Sequence, residues 1–237
     1  MALMCTAVIF FSRLCGMTVK AASPFGTSEK QERIDLYNAV AVMDTKELVQ
    51  MAVNGVDELA RDSGINWEPE IEIEGTDICD VHNYSTSQLI NKYIYDGEIY
   101  NQYALTSITT ANVNQYGDPA VSGYGCTMRT TMVVTWNASY NRAALNYQAT
   151  WVSGVSPTVL VMTNKVDMGW DTGKSYVNSK EVLNPSGTYT LTSPSSEMVG
   201  ASYGSELWCH GIVYFTGGNS LTSSYILDPG GILPAKN

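Results

Sequence analysis

The stretch that decides the fold is Cys126–Trp136, which reads CTMRTTMVVTW. Every second residue counted from Cys126 is apolar except Thr130. The residues between them are mostly threonine, together with Arg129 and Val133. A side-chain period of two is the pattern of a β-strand that buries one face and leaves the other wetter.

The neighbouring stretch 143–152, AALNYQATWV, alternates in the same way. It puts Leu145, Tyr147, Ala149 and Trp151 on one face and polar residues on the other. Half-apolar alternation in two successive strands is typical of an antiparallel sheet with one wet side. We therefore predict that Trp136 and Trp151, which lie on these apolar faces, are core residues.

The period of two continues along most of the chain after residue 88. Asp96-Gly97 is a two-residue hairpin signal, and other Gly- and Pro-rich turns recur between apolar runs. Several strands at this spacing predict a β-sandwich. The predicted strands are 89–95, 98–106, 126–136, 143–152, 158–163, 175–182, 188–192, 205–216 and 220–227.

The region before these strands has a different pattern. Residues 28–64 favour helix, with the clearest apolar stripe over 45–62. Gly55 interrupts the stripe, and Gly64 is suited to end the helix. The sequence thus predicts a mainly β chain: an antiparallel β-sandwich preceded by a short acidic helical N-terminal segment.

Residues 1–21 resemble a secretory signal peptide that ends in small residues and is cleaved after Ala21. The usual positive start is missing, and Arg13 lies inside the apolar stretch, so an uncleaved anchor is the alternative. The expected division is a signal peptide at 1–21, the acidic segment at 22–80 and the sandwich domain at 81–237. We expect a secreted, extracellular protein in the general style of Gram-positive bacteria.

Charge narrows the range of partners. The chain carries 23 acidic and 13 basic residues, a net charge of −10. Residues 22–100 hold 16 of the acids and 5 of the bases. Phosphate repels such a surface, so we expect no nucleic acid partner. A basic protein surface suits it better. Since no segment after the signal approaches the length of a bilayer span, we expect no stable membrane anchor once the signal is removed.

The acids are most concentrated in a row in which Glu68, Glu70, Glu72 and Glu74 share one face of a strand, with Asp77 and Asp80 close behind. One interpretation is a weak calcium site at Glu70, Glu72, Glu74 and Asp77, or a patch for a basic partner. The other is an edge strand whose charges prevent unwanted pairing. No calcium-loop motif is present, and no other cofactor is expected.

Three cysteines remain after the signal: Cys79, Cys126 and Cys209. Cys126 and Cys209 both lie on apolar strand faces, so we predict a disulfide between them and leave Cys79 as the odd thiol. Other pairings, or no bridge at all, are the alternatives.

Aromatic residues make up 10% of the chain. The candidate ligand-binding residues are Trp170, Trp208, His210 and Tyr214, because exposed aromatic rings on a sheet can stack on sugars or anchor a protein partner. The alternative is the ordinary enrichment of tyrosine in β-sheets.

Catalysis has little support from the residues. The chain has only two histidines and no coherent set of nucleophile, acid and base. The leading hypothesis is therefore a secreted binding module for a glycan or a protein. The alternatives are a secreted hydrolase that uses carboxylates or a Cys/His pair, and a secreted toxin or bacteriocin-like protein.

Overall fold

Strands dominate the structure, a computed structural model that describes residues 32–114, 124–154, 157–169, 173–200 and 205–229. The predicted signal peptide and Trp170 lie outside the described residues. Within these ranges the elements are β1 (Ile34–Asn38), α1 (Thr45–Val53), α2 (Glu58–Ser63), β2 (Pro69–Glu74), β3 (Ile78–Tyr95), β4 (Glu98–Val113), β5 (Tyr124–Asn137), β6 (Arg142–Gly154), β7 (Val159–Asp167), β8 (Ser175–Leu183), β9 (Gly187–Thr192), β10 (Glu206–Phe215) and β11 (Asn219–Leu227).

The strands form two antiparallel sheets. Sheet A has the order β1-β3-β4-β5-β6-β9, and sheet B has the order β2-β11-β10-β7-β8. Apolar residues from the two inner faces meet between the sheets. The predicted fold class, a mainly β antiparallel sandwich, is confirmed.

The Asp96-Gly97 hairpin is confirmed, and it joins the two longest strands. Asp96 and Gly97 have φ of 53° and 77°, the left-handed values that a tight hairpin turn requires. β3 and β4 extend well beyond the predicted 89–95 and 98–106, because their polar inner residues hid the alternation from the sequence pattern.

The helical segment is shorter than predicted. Gly55, with φ of 71°, lies between α1 and α2, so the expected helix over 45–62 is broken in two. Gly64 ends α2 in the left-handed conformation, as expected. Ile34–Asn38 is a strand rather than a helix, since it adds to the edge of β3. Among the described residues, no helix is long and apolar enough to cross a bilayer.

The acidic N-terminal segment takes part in both sheets. β1 pairs with β3 in sheet A, and β2 pairs with β11 in sheet B. The boundary expected between residues 80 and 81 falls inside β3, and Arg33–Asn237 form one compact unit.

The core consists of two apolar clusters with polar residues between them. Along β5, Thr130 separates Met132, in the first cluster, from Met128, in the second. β4, β6, β7 and β11 repeat this order, and on β10 Gly211 stands where the others have a polar residue. The buried polar residues between the clusters, here called the central polar layer, are Ser107 and Thr109 on β4, Thr130 on β5, Gln148 and Thr150 on β6, Asn164 on β7, and Ser223 on β11.

The central polar layer explains why the predicted Cys126–Cys209 disulfide is wrong. A Cβ added to Gly211 would lie 3.5 Å from Thr130 Oγ1, so these two residues face each other across the sandwich. Cys126 lies four residues from Thr130 towards the second cluster, and Cys209 lies two residues from Gly211 towards the first. At a strand rise of about 3.4 Å per residue, these offsets add up along the strands. They place the Cα atoms of Cys126 and Cys209 much farther apart than the roughly 7 Å limit for a disulfide. Cys79, Cys126 and Cys209 are all free thiols.

A β-bulge in β6 reverses the side-chain orientation that was predicted for the second part of this strand. The register of β5 and β6 shifts by one residue at Asn146. Leu145 lies in the core as predicted, but beyond the bulge Gln148 faces the core and Trp151 faces outward. The prediction that Trp151 is a core residue is therefore wrong.

The outer face of sheet A is covered over part of its width. α1 packs on β3 and β4, and Leu48 of α1 is fully buried there. As a result Arg129, Thr131 and Val133 of β5 are buried, although the alternation predicted a wet face. The outer face of sheet B has no such helix among the described residues.

Candidate functional site

The outer face of sheet B, which no described helix covers, presents a row of large side chains on β10. Trp208, His210, Ile212 and Tyr214 are alternate residues of this strand and point away from the core, and we call them the β10 ridge. Tyr214 is 38% exposed, and the other three are half-buried. At about 3.4 Å per residue the ridge extends over roughly 20 Å.

Two rings of the β10 ridge are held in a fixed stack. The imidazole of His210 lies 5.3 Å from the ring of Trp208, centroid to centroid, with an interplanar angle of 18°. His210 Nδ1 is 3.2 Å from Ser224 Oγ on β11. Burial lowers the pKa of His210, although the carboxylate of Glu72 raises it. Because the two rings lie face to face, each covers one face of the other, and the pair presents its outer ring faces and ring edges.

The acidic row lies on the same face, one strand beyond β11. Glu70, Glu72 and Glu74 of β2 pair with Ser224, Thr222 and Ser220 of β11, which in turn pair with His210, Ile212 and Tyr214 of β10. We call the three glutamates the carboxylate ridge. β2 is an edge strand, as one interpretation of the row expected.

Between the two ridges lies a row of small side chains on β11, Ser220, Thr222 and Ser224, and we call this strip the trough. Ser220 and Thr222 are only 3% and 6% exposed, so the neighbouring side chains leave mainly Ser224 open to solvent. β2 and β10 lie two strand spacings apart, which is about 9.5 Å. Ser220 Oγ donates a hydrogen bond to Glu74 Oε2 at 3.2 Å, so the trough and the carboxylate ridge are bonded to each other.

Asp77, the fourth residue proposed for calcium, is engaged elsewhere. Its carboxylate accepts a hydrogen bond from Asn219 Nδ2 at 3.0 Å, and its backbone N–H donates to Asn219 Oδ1 at 3.1 Å. These bonds attach the β2–β3 turn to the β10–β11 hairpin. In the described part of the chain, no group of three or more His, Cys, Asp or Glu side chains is placed to hold a metal ion.

The end of the β10 ridge carries a group of charges that the sequence did not reveal. Glu206 pairs with Asp167 of β7 across the strands, and Asp167 forms an ion pair with Lys165 at 2.5 Å. Alternation along β10 could have placed Glu206 beside Trp208. Asp167 was missed because the predicted strand ended at residue 163, four residues short of the true end.

The pKa of Glu206 is raised, first by burial and then by the neighbouring carboxylates of Asp167 and Asp228, while Lys165 lowers it. The folded state therefore holds this proton more tightly than the unfolded chain does. Such a group stabilises the fold below its unfolded pKa of about 4.3, and the contribution is lost as the pH rises through the folded pKa.

Glu206→Gln is accordingly expected to raise the melting temperature at about pH 7, and the gain is expected to disappear towards about pH 4, where both chains carry a neutral side chain. Thermal unfolding followed by circular dichroism across this pH range measures the difference. If the Glu206→Gln variant were less stable than the wild type at neutral pH, the Glu206 carboxylate would have to be favourably bound.

The cysteines and histidines do not form a catalytic pair with each other on β10. Cys209 points into the core, while His210 points to the outer face. Burial raises the pKa of Cys126 to about 11 and also raises that of Cys209, so both remain thiols near neutral pH. The thiol rather than the nucleophilic thiolate is therefore the stable form at these two positions.

Comparison with protein-family models, curated proteins and solved structures finds no match to this chain. Its class is defined by its own geometry, an antiparallel β-sandwich in which the outer face of sheet B carries an aromatic row and an acidic row side by side. Its function has to be argued from these residues.

Proposed function

We propose that the chain is a secreted binding module that holds a neutral glycan in the trough of sheet B. One observation carries the proposal: the β10 ridge and the carboxylate ridge run side by side on the outer face of sheet B. The residues that bear the ligand are Trp208, His210 and Tyr214 on one side and the glutamates of β2 on the other.

The two ridges offer the two kinds of contact that a sugar chain needs. Aromatic rings pack against the apolar C–H faces of sugar rings, since they provide large, rigid, weakly hydrated surfaces. Carboxylates accept hydrogen bonds from sugar hydroxyls, and bonds to charged acceptors are stronger than neutral ones. The backbones of β2 and β10 are about 9.5 Å apart and the β10 ridge is roughly 20 Å long, so a sugar chain that lies along the ridges can contact both rows of side chains.

The charge of the site favours a neutral chain over an acidic one. Three glutamates line one side of the trough, and the nearest lysine in register, Lys165, is already paired with Asp167. A uronic acid or sulfated sugar would bring like charge to this surface. Residues 1–21, read as a signal peptide, support an extracellular setting in which such polysaccharides are met.

Trp208→Ala is expected to weaken binding of a neutral hexasaccharide at least about tenfold, because a buried aromatic anchor contributes about 2 kcal/mol and 1.4 kcal/mol is a factor of about ten. The probes are cellohexaose, chitohexaose, maltohexaose and mannohexaose, each titrated by calorimetry against the full chain. Trp208→Phe is expected to retain part of the affinity, since it keeps an aromatic face.

Tyr140→Ala is the matched control, because Tyr140 is an exposed aromatic (59%) in the β5–β6 turn of sheet A. It is expected to bind like the wild type. No heat with any of the four hexasaccharides, or equal losses in the Trp208 and Tyr140 variants, would overturn the proposal. Cleavage of a bound hexasaccharide that stops in the Glu206→Gln chain would instead indicate a hydrolase, with the Glu206–Asp167 carboxylate pair as its centre.

A further inference from the structure

A second concave surface lies on the outer face of sheet A, where the cover provided by α1 ends. Arg129 of β5, Trp151 of β6 and Thr188 of β9 are in register across three strands. The first turn of α1 faces them. The groove between the start of α1 and these three strands has a volume of about 650 Å³. Its other lining residues are Met43, Asp44, Thr45, Lys46 and Val49.

Arg129 is the unusual residue of this groove. Only 6% of it is exposed, and in the described part of the chain no carboxylate forms an ion pair with it. Nη1 donates hydrogen bonds to Met43 O and to Thr45 Oγ1, the latter at 3.2 Å, whereas Nε has no acceptor among the described residues. A buried guanidinium with an unused N–H is costly unless an acceptor is supplied.

Other features make the groove favourable for a negative group. The guanidinium lies 5.0 Å from the centroid of the Trp151 ring, which holds its plane in place. The first N–H groups of α1 point out of the helix start, where the helix dipole favours anions, and Lys46 adds a positive charge. Asp44 opposes them, although its Oδ1 is engaged in capping Glu47 N at 3.0 Å.

We propose that this groove binds the carboxylate of a small organic ligand, with the apolar part of the ligand against Met43, Val49 and Trp151. The planar N–H fork of arginine matches a carboxylate, which is also planar. Because Asp44 stands at the same helix start, a singly charged group suits the site better than doubly charged phosphate. This site does not depend on the glycan trough, which belongs to the other sheet.

The test is a titration with sodium benzoate followed by ¹H–¹⁵N NMR on the full chain. Benzoate is expected to shift the Arg129 Nε–H and Lys46 backbone resonances in a saturable manner. Benzamide, its neutral analogue, and inorganic phosphate at the same ionic strength are expected to shift them little. Equal responses to benzoate and benzamide, or equal responses to benzoate and phosphate, would overturn the assignment, as would no saturable response to benzoate.

Two variants separate the carboxylate site from a general effect of charge. Arg129→Lys keeps the charge but loses the fork, and it is expected to raise the dissociation constant of benzoate at least about tenfold, as for loss of a charged bidentate pair. Asp44→Asn keeps the capping oxygen and removes the opposing charge, so it is expected to bind benzoate more tightly. Since Asn is a good helix cap, this variant tests the site even if the Arg129 variant fails to fold. Weaker binding in the Asp44→Asn chain would contradict the proposal.

Discussion

Replacing Asp57 by alanine is expected to cost about 3 kcal/mol of folding free energy, about 1 for the helix cap and at least about 1 for each buried donor left without an acceptor. Asp57 Oδ1 accepts from Ala60 N at 3.0 Å, from Ser87 Oγ at 2.5 Å and from Trp67 Nε1 at 3.3 Å. Ser87 and Trp67 are both buried. In a chain of this size the melting temperature is expected to fall by about 6–12 °C.

Asp57 lies where the turn between α1 and α2 is attached to β3, so its loss is expected to weaken that attachment. Asp57 forms a single parallel β-bridge with Ser87 of β3, at the point where the chain passes between α1 and α2. Thr86 Oγ1 donates to Val56 O at 2.7 Å, and Leu89 N donates to Glu58 Oε2 at 2.5 Å, on either side of the bridge. Residues 56–58 thus attach the turn between α1 and α2 to β3, in addition to the strand pairing of β1 with β3.

Asp44→Ala is the matched control for the Asp57 variant. Asp44 also caps a helix, but it is exposed and the hydrogen bond it accepts is the one from Glu47 N. Its loss is expected to cost about 1 kcal/mol. Asp57→Asn keeps an acceptor oxygen and is expected to fall between the two. Thermal unfolding by circular dichroism compares the three, and equal losses for Asp57→Ala and Asp44→Ala would show that the buried bonds contribute nothing beyond capping.

The strands could be predicted because their alternation is a property of neighbouring residues. The predicted strand 126–136 became Tyr124–Asn137, and the predicted 220–227 became Asn219–Leu227. Alternation within a single strand also predicted that Trp208, His210 and Tyr214 lie on one face of β10. Their position opposite the glutamates of β2 could not be predicted, because it depends on the order of strands in sheet B, and β2 and β11 are far apart in sequence.

Errors arose where a non-local contact overrides the local pattern. The bulge at Asn146 shifts the register by one residue, which reverses every later residue of β6 and turns Trp151 outward. The threonines and Arg129 on the outer face of β5 led to the prediction that this face is in contact with water, but α1 covers part of it. The Arg129 groove follows from both events, so neither strand pattern alone could reveal it.

The cysteine prediction failed for a related reason. Cys126 and Cys209 each lie on the apolar face of a strand, which predicts that they are in the core, and both are buried. The distance between them depends on the register of one sheet over the other, and alternation within a strand contains no information about that register. Hydrogen bonds between the sheets contribute to that register: Tyr225 Oη bonds to Ser107 N and Thr130 O, and Gln148 Nε2 donates to His210 O at 3.2 Å.

Tyr225→Phe is the second large effect that we expect, and it tests that layer directly. Tyr225 is buried on β11 of sheet B, and its hydroxyl reaches the main chain of sheet A. It accepts a hydrogen bond from Ser107 N at 2.7 Å and donates one to Thr130 O at 2.5 Å. Phenylalanine keeps the ring, which lies 5.8 Å from that of Trp67, and removes both of these buried hydrogen bonds. The expected cost is about 2 kcal/mol, at about 1 for each buried hydrogen bond lost.

Two measurements distinguish this effect from the loss of any tyrosine hydroxyl. Tyr214→Phe removes an exposed hydroxyl from the adjacent strand β10 and is expected to change stability by less than about 0.5 kcal/mol. Burial raises the pKa of Tyr225, so its hydroxyl stays protonated, and the deficit of Tyr225→Phe is expected to be the same at about pH 6 and about pH 9. A Tyr225→Phe chain as stable as the wild type would mean that water enters the layer and replaces the hydroxyl. In that case the register of the two sheets would have to come from the apolar clusters and the remaining hydrogen bonds between the sheets.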